Sequence, residues 1–275
     1  MEFWKMHGAG NDFIIVDNRE HQIALDKKAK AELAEAACHR HFGIGADGMI
    51  FTEHSSIADI KMTFYNMDGS EATMCGNGIR CFTKYLYDKG IVSERTFAIE
   101  TGDGVKTVNI IESAIEDSQI EVEMGKWDNN LIEFDIHVPE HVITLSFLHM
   151  GVPHSVCFVE KGKWTGDMAL DDLTLRFGPL IEKNPVFKEG TNVNFVEVLD
   201  NSHIKMSTWE RGAGKTLACG TGACSSVIAA NRLKGLDNSI MVEMPGGTVR
   251  ITIMEDDRVF MQGPARLICK GIFFR

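Results

Sequence analysis

The sequence predicts an α+β protein of two similar halves, and three observations carry that expectation. The stretch Met74-Cys75-Gly76-Asn77-Gly78 has a counterpart in Ala218-Cys219-Gly220-Thr221-Gly222, 144 residues further on. Each Cys-Gly-x-Gly opens a run with apolar residues at helical spacing and a glycine stop. These are Ile79, Phe82 and Leu86 before Lys89-Gly90, and Ala223, Val227 and Ala230 before Lys234-Gly235. A strand-like hairpin with a glycine-rich turn then follows in both places. Glu100-Thr101-Gly102-Asp103-Gly104 starts 25 residues after Cys75, and Glu243-Met244-Pro245-Gly246-Gly247 starts 24 after Cys219. Matched order and spacing over a whole unit predict two like domains sharing a cleft.

The remaining elements follow in chain order. Lys5-Met6-His7-Gly8-Ala9-Gly10-Asn11-Asp12 separates two short β-like runs, the second being Phe13 to Val16. Asp26 to His41 reads as a helix with Asp26 as its N-cap. Gly43-Ile44-Gly45-Ala46-Asp47-Gly48 has the letters of a dinucleotide fingerprint but follows a helix and precedes the strand Met49 to Thr52. A pyrophosphate loop needs the reverse order, so a tight turn is expected. Ile60 to Tyr65 is a strand that ends in the polar turn Asn66-Met67-Asp68-Gly69. Thr96 to Glu100, Val105 to Ile111 and Ile120 to Met124 are β-like, and 126–142 is polar and ambiguous. Val142 to Phe147 and Val156 to Glu160 read as strands, with a short helix at Leu173 to Glu182 interrupted by Gly178-Pro179. Strands at Val193 to Leu199 and Ile204 to Trp209 lead to the second cysteine. Gly214-Lys215-Thr216 is no P-loop, because Trp209 stands where the first glycine is required. The end is all β: Ile240 to Met244, Thr248 to Met254, Arg258 to Met261.

Composition narrows the function classes. A chain of 275 residues can bury two cores of ordinary size, and 44% hydrophobic with 24% charged residues describes a soluble globular protein. No apolar run is long enough to span a bilayer, and Met1-Glu2-Phe3-Trp4-Lys5 lacks a signal-peptide pattern, so a cytoplasmic protein is expected. The net charge of −11 argues against nucleic acid or anionic membrane as a partner. A small anion held by local donors stays open. Seven cysteines without a secretory signal predict reduced thiols.

The two motif cysteines suggest the chemistry. A cysteine at a helix N-terminus sits beside free N–H groups and a dipole that favour an anion, which is expected to lower its pKa toward neutrality. If the halves face each other, N–H groups of Gly76-Asn77 and Gly220-Thr221 would clamp a substrate carboxylate. The two sulfurs would then flank its α-carbon. One thiolate removes the α-proton, the opposite thiol returns one, and the clamped carboxylate takes the carbanion's charge. That is racemisation without pyridoxal phosphate. Cys38, Cys157 and Cys269 are read as structural, and Cys81 and Cys224 as packing residues within the helices. A non-catalytic zinc-binding or thiol-redox protein is the alternative of another class, although Cys-x5-Cys and Cys-x4-Cys do not match usual zinc spacing and no Cys-x-x-Cys is present.

At these residues the sequence resembles the diaminopimelate epimerases over nearly the whole chain. The resemblance rests on Lys5 to Phe13, Gly43 to Asp47, Asn66 to Glu71, Cys75 to Cys81 and Gly151-Val152-Pro153-His154. It continues through Glu210-Arg211-Gly212, Ala218 to Cys224, Pro245-Gly246-Gly247 and Gly263-Pro264-Ala265. It implies two pseudo-symmetric domains, each a curled sheet around a central helix, with the active site in the cleft between them. Residues 1–118 plus 264–275 would form the first and 119–263 the second, the C-terminal strand returning to the first. It further implies a cofactor-independent, metal-free homodimer that interconverts LL- and meso-diaminopimelate. Carried over by motif, Cys75 and Cys219 are the acid–base pair, supported by His154 and Glu210. Gly76, Asn77, Gly220 and Thr221 would hold the reacting end, and Asn11, Asn66, Asn192, Glu210 and Arg211 the distal end. Arg211 can pair bidentately with a carboxylate while Glu210 takes an ammonium. Val152 and Gly48 depart from the family form, standing where Asn and Gln are expected, which leaves another amino acid, such as histidine, as an alternative substrate.

Overall fold

Ala9 and Gly10, both at positive φ (52° and 86°), turn the chain between strands β1 (Glu2–Gly8) and β2 (Asn11–Asp17) and start the first of two compact units. The fold is that of a computed structural model, which describes residues 1–21, 23, 26–160, 166 and 168–274. One unit comprises residues 1–123 and 262–275, the other 124–261.

In the first unit, helix α1 (Lys27–Cys38) starts at Asp26, whose carboxylate accepts the Ala29 N–H at 2.8 Å. It ends three residues before His41. Strand β3 (Gly48–Glu53) returns parallel to β2, and β4 (Ile60–Asn66) is antiparallel to β3. The two-residue strand β5 (Glu71–Ala72) leads to Cys75 and helix α2 (Gly76–Asp88). After it, β6 (Thr96–Thr101) pairs parallel with β4, β7 (Gly104–Ser113) antiparallel with β6, and β8 (Asp117–Lys126) antiparallel with β7. The ring is closed by β17 (Arg258–Ile272), whose segment Arg266–Ile272 pairs with β1 while the Leu267 N–H bonds the Glu116 carbonyl. Helix α2 lies against β1, β2 and β7 with every residue from Gly76 to Leu86 buried. Helix α1 covers β3 and β4. With a helix on each face, β2, β3 and β4 are buried on both sides and read as apolar runs, whereas β8 alternates strictly.

The second unit repeats this order. Strands β9 (Ile132–Val138) and β10 (His141–Met150) form a hairpin, and β11 (Val152–Phe158) is antiparallel to β10. Helix α3 (Leu170–Glu182) precedes β12 (Asn192–Asp200), which is parallel to β11, as α1 precedes β3. Then come β13 (His203–Glu210), the short β14 (Gly214–Thr216), helix α4 (Gly220–Lys234), and the hairpin β15 (Ser239–Met244) and β16 (Gly247–Ile253). Strand β13 is antiparallel to β12 and parallel to β15, which reproduces the pairing of β4 with β3 and β6. Helix α4 packs on β10, β11, β12, β15 and β16, with Gly222 to Ala230 buried. Each half is therefore a curled mixed sheet around one helix, the α+β architecture expected.

Three differences from expectation have local causes. The region 126–142 holds β9 and the start of β10. Its Ile132, Phe134, Ile136 and Val138 alternate, but the polar residues between them mask the pattern. Helix α3 runs through Pro179 and begins three residues early, while Gly178 lets it lie on Trp209, where a Cβ would come within 2.6 Å of the Trp209 Cβ. Strands β5 and β14 are too short to carry a periodic signal.

Gly48 opens β3 between Phe13 of β2 and Asn66 of β4, where an added Cβ would run into the Phe64 ring and come within 2.7 Å of the Tyr65 carbonyl oxygen. A glutamine has no room there. Gly48→Ala is expected to cost about 2 kcal/mol of stability in urea unfolding, as overpacking does. Phe64→Leu is expected to recover part of that loss in a double-mutant cycle.

Candidate active site

Both motif cysteines are helix N-caps with extended backbone: Cys75 at φ −140°, ψ 117° before α2, and Cys219 at φ −127°, ψ 112° before α4. Neither side chain caps its helix. The first helical bonds are Ile79 N–H to Cys75 O and Ala223 N–H to Cys219 O, both 2.9 Å. The amides of Gly76, Asn77 and Gly78, and of Gly220, Thr221 and Gly222, therefore have no acceptor within their helix. Glycine at the third helical position keeps each turn tight. A Cβ on Gly78 would stand 3.4 Å from the Cys75 Cβ. One on Gly222 would meet the Asn194 amide oxygen and stand 3.2 Å from the Cys219 sulfur. None of the seven cysteines forms a disulfide. Burial pushes Cys38, Cys81 and Cys157 up to about 12, in keeping with packing roles.

In the first unit, Cys75 is half-buried and Asn77 is buried. Asn77 Nδ2 donates to Asn11 Oδ1 at 3.1 Å, so two amides expected at opposite ends of a substrate are in direct contact. Asn11 Nδ2 donates in turn to Asp47 Oδ2 at 2.6 Å. Asn66 ends β4, and its Nδ2 donates to Ser70 Oγ at 2.9 Å.

In the second unit, Glu210 ends β13, and the Glu210–Gly214 pairing brings Thr216 back so that its hydroxyl donates to Glu210 Oε1 at 2.6 Å. Glu210 also accepts from the Cys219 thiol. Burial raises the Glu210 carboxyl, and the bonds from Thr216 and Cys219 only partly offset it. Helix-end placement alone predicts a lowered pKa for Cys219, but the reverse holds. Burial and the neighbouring Glu210 charge lift the thiol well above its ordinary value, against the opposing pull of the Thr221 hydroxyl (3.6 Å from the sulfur) and the Gly222 amide. Cys219 is therefore less acidic than an ordinary thiol.

His154 has no exposed surface, and its Nδ1 lies 3.2 Å from Asn194 Nδ2. The Asn194 oxygen accepts from Thr208 Oγ1 at 2.9 Å, which turns the amide nitrogen to donate to His154 and places the ring proton on Nε2. That Nε2 is buried without a partner among the described residues. Burial chiefly, then His149 and Arg211, lower its pKa to about 3. Asn192, beside His154 in the β11–β12 register, donates from Nδ2 to Pro153 O at 3.1 Å and accepts the Arg211 N–H at 2.9 Å. The Arg211 guanidinium donates to Glu189 O at 2.8 Å and is otherwise exposed. Asn194, Thr208 and Thr216 were not anticipated from the sequence. The one available signal was Asn192-Val193-Asn194, two amides on one face of an otherwise apolar strand. Among the described residues no group of three or more His, Cys, Asp or Glu side chains could hold one metal ion.

The family model for diaminopimelate epimerase matches residues 3–128 and 146–268. The chain belongs to the diaminopimelate epimerase family. It is 43% identical to the diaminopimelate epimerase of Clostridium perfringens (strain 13 / Type A) over 284 residues, covering 99% of both chains. It is 40% identical to that of Alkaliphilus metalliredigens (strain QYMF), over 99% of this chain and 97% of the other. The fold is shared with a Bacillus anthracis phenazine biosynthesis protein of the PhzF family, with a TM-score of 0.73 at 16% identity, over 100% of this chain and 99% of that one.

Histidine burial of this kind has a consequence for stability. Folded His154 stays neutral down to about pH 3, whereas an unfolded histidine takes its proton near pH 6.5. Its contribution is thus complete above pH 6.5 and is lost progressively as pH falls toward 3. On going from pH 7 to pH 5, the native protein is expected to lose about 2 kcal/mol more than His154→Gln does, measured by urea unfolding at each pH.

Proposed function

We propose that this chain epimerises LL-2,6-diaminopimelate to the meso form by a two-base thiol mechanism, without pyridoxal phosphate or metal. The observation that carries the reading is the pair of unbridged cysteines, each the N-cap of a buried, glycine-started helix in one of two topologically equivalent units. Family membership supplies the substrate class.

The inequivalence of the two ends suggests how the proton is shared. Cys219 starts as the acid, because burial and Glu210 keep its proton on. Cys75 is then assigned the base. It takes the α-proton, and the clamped α-carboxylate receives the electron pair through the amides of Gly76, Asn77, Gly220 and Thr221. Cys219 then delivers its proton to the opposite face and becomes the thiolate. Glu210, with its raised pKa, can carry a proton and so relieve two anions in contact. The reverse direction exchanges the roles. Neutral His154 offers its unpartnered Nε2–H to an acceptor that arrives with the substrate. At the distal end, the Arg211 guanidinium suits a carboxylate and the Asn66 and Asn192 amides can complete the contacts. Val152, beside Met150 in the β10–β11 hairpin, brings no side-chain donor to that end. The net charge of −11 suits a cytoplasmic enzyme of small substrates without a nucleic-acid partner, and a homodimer is the assembly to test by sedimentation.

Cys75→Ser and Cys219→Ser are each expected to lower turnover at least about a hundredfold with unchanged circular dichroism, the scale of a lost general acid or base. Near-native turnover in either variant would end the two-thiol reading. The assay is α-proton exchange in heavy water with diaminopimelate, histidine, lysine and proline, so it also separates substrates. Glu210→Gln removes the charge that raises Cys219. In a Cys75→Ser background, the pH midpoint for iodoacetamide alkylation of Cys219 is expected to move down in that variant.

A further inference from the structure

A run of side-chain hydrogen bonds in the first unit passes from a cation to an anion through two amides. Arg80 is completely buried. Its Nη2 donates to Asn77 Oδ1 at 2.9 Å, Nη1 to Gly76 O at 3.1 Å and Nε to Pro264 O at 3.2 Å. Gly8 makes room for it, since a Cβ there would stand 3.1 Å from Nη2. Asn77 Nδ2 donates to Asn11 Oδ1 at 3.1 Å, and Asn11 Nδ2 to Asp47 Oδ2 at 2.6 Å. Asp47 is held by the Asp12 backbone N–H at 3.2 Å and by Arg40 Nη2 at 2.6 Å, and Arg40 also pairs with Asp12 at 2.9 Å.

Every bond in this run points the same way, and the two ends leave no choice. A guanidinium has no acceptor, and an ionised carboxylate has no donor. Turning Asn77 over would set its NH2 against the Arg80 N–H, and turning Asn11 over would set its oxygen against the Asp47 carboxylate. The orientation of both amides is therefore dictated by chemistry at the termini. Each oxygen already accepts a bond, while each nitrogen keeps a second N–H. Asn77 lies two residues after Cys75, so these N–H groups sit at the same helix end as the free amides of Gly76 to Gly78.

We propose that Arg80 and Asp47 are positioning residues that lock Asn77 and Asn11 as N–H donors, so that this end of the first unit accepts a carboxylate and rejects an ammonium. The proposal rests on the reading of Asn11 and Asn77 as substrate residues. Free amides could rotate to present oxygens and accept from an ammonium, and the relay removes that alternative. Selectivity between the two charged ends of a zwitterion then comes from residues that touch neither.

The test compares Asp47→Asn with Arg40→Gln. The first gives Asn11 a neighbour that can donate or accept, which removes the anionic terminus and leaves only the contact with Asn77, still fixed by Arg80, opposing reversal of Asn11. The second breaks the ion pairs on Asp47 and Asp12 but leaves the Asp47 acceptor in place. In the exchange assay, Asp47→Asn is expected to raise KM for diaminopimelate about tenfold with kcat within about threefold, the scale of one mismatched buried hydrogen bond. Arg40→Gln is expected to leave KM within about twofold. Arg80→Lys keeps a donor-only terminus and is expected to retain KM, whereas Arg80→Gln is expected to raise it. Equal effects of Asp47→Asn and Arg40→Gln, or a fall in kcat alone, would overturn the proposal. A second readout does not depend on turnover. In protein labelled with 15N-asparagine, glutarate is expected to shift the Asn11 and Asn77 side-chain amide resonances and 1,5-diaminopentane to leave them in place. Asp47→Asn is expected to weaken that selectivity, and the Asp47→Asn/Arg80→Gln double variant, which removes both fixed termini, to abolish it. Shifts by the diamine, or none by either probe, would sink the carboxylate assignment even if the epimerase reading stands. Glutarate selectivity without α-proton exchange would sustain the relay and remove the epimerase reading.

Discussion

The placement of each cysteine at the N-cap of a helix buried within its own sheet governs the rest of the candidate site. Cysteine is a poor capping residue, and giving up a Ser, Thr or Asp cap costs about 1 kcal/mol per helix. Both α2 and α4 make that concession, so the first-turn amides at each N-terminus lie beside a sulfur. Glycines at 76, 78, 220 and 222 keep side chains away from those donors. The curled sheets make the arrangement rigid, because a helix packed on most of its circumference cannot rotate its N-terminus away. The chemistry thus depends on a local sacrifice that tertiary packing compensates.

The two halves share this scaffold but differ in electrostatics. Strand β4 ends in the neutral amide of Asn66, whereas β13 ends in the carboxylate of Glu210. Five residues after the cysteine, the first half has the buried guanidinium of Arg80 and the second has the apolar thiol of Cys224. The Glu210 charge beside Cys219 favours its protonated thiol. A fold-level repeat is thereby given two unlike electrostatic settings. Burial supports both: it strengthens the Glu210 effect on Cys219 and keeps His154 neutral, as a hydrogen-bond donor rather than a charge.

Parts of this were legible in the residues and parts were not. Helical spacing after Cys75 and Cys219, the glycine stops, and the matched hairpins led directly to α2, α4, β6–β7 and β15–β16. The polar residues between Ile132 and Val138 hid β9, whose partner β10 lies next to it in the chain. The closure of the first sheet by β17 depends on contacts such as Leu267 with Glu116, far apart in sequence, for which no local pattern exists. Gly48 was visible as a departure from the family form, but only the Phe64 ring beside it explains why no side chain fits.

The sequence by itself determined where α1, α2 and α4 begin, which residues occupy their N-caps, and that the pattern around α2 and α4 occurs twice. Those properties are set by periodicity and by backbone groups within a few residues. The tertiary structure alone decided the acidity of the cysteines and the direction of the amides. The helix end predicts an acidic thiol at Cys219, but its pKa follows from burial and from Glu210, nine residues earlier, brought to the sulfur by the β13–β14 turn. Likewise Asn77 and Asn11, 66 residues apart, are oriented by Arg80 and Asp47. Electrostatic interactions and hydrogen bonds act through space, and the distances that set them exist only once the chain has folded.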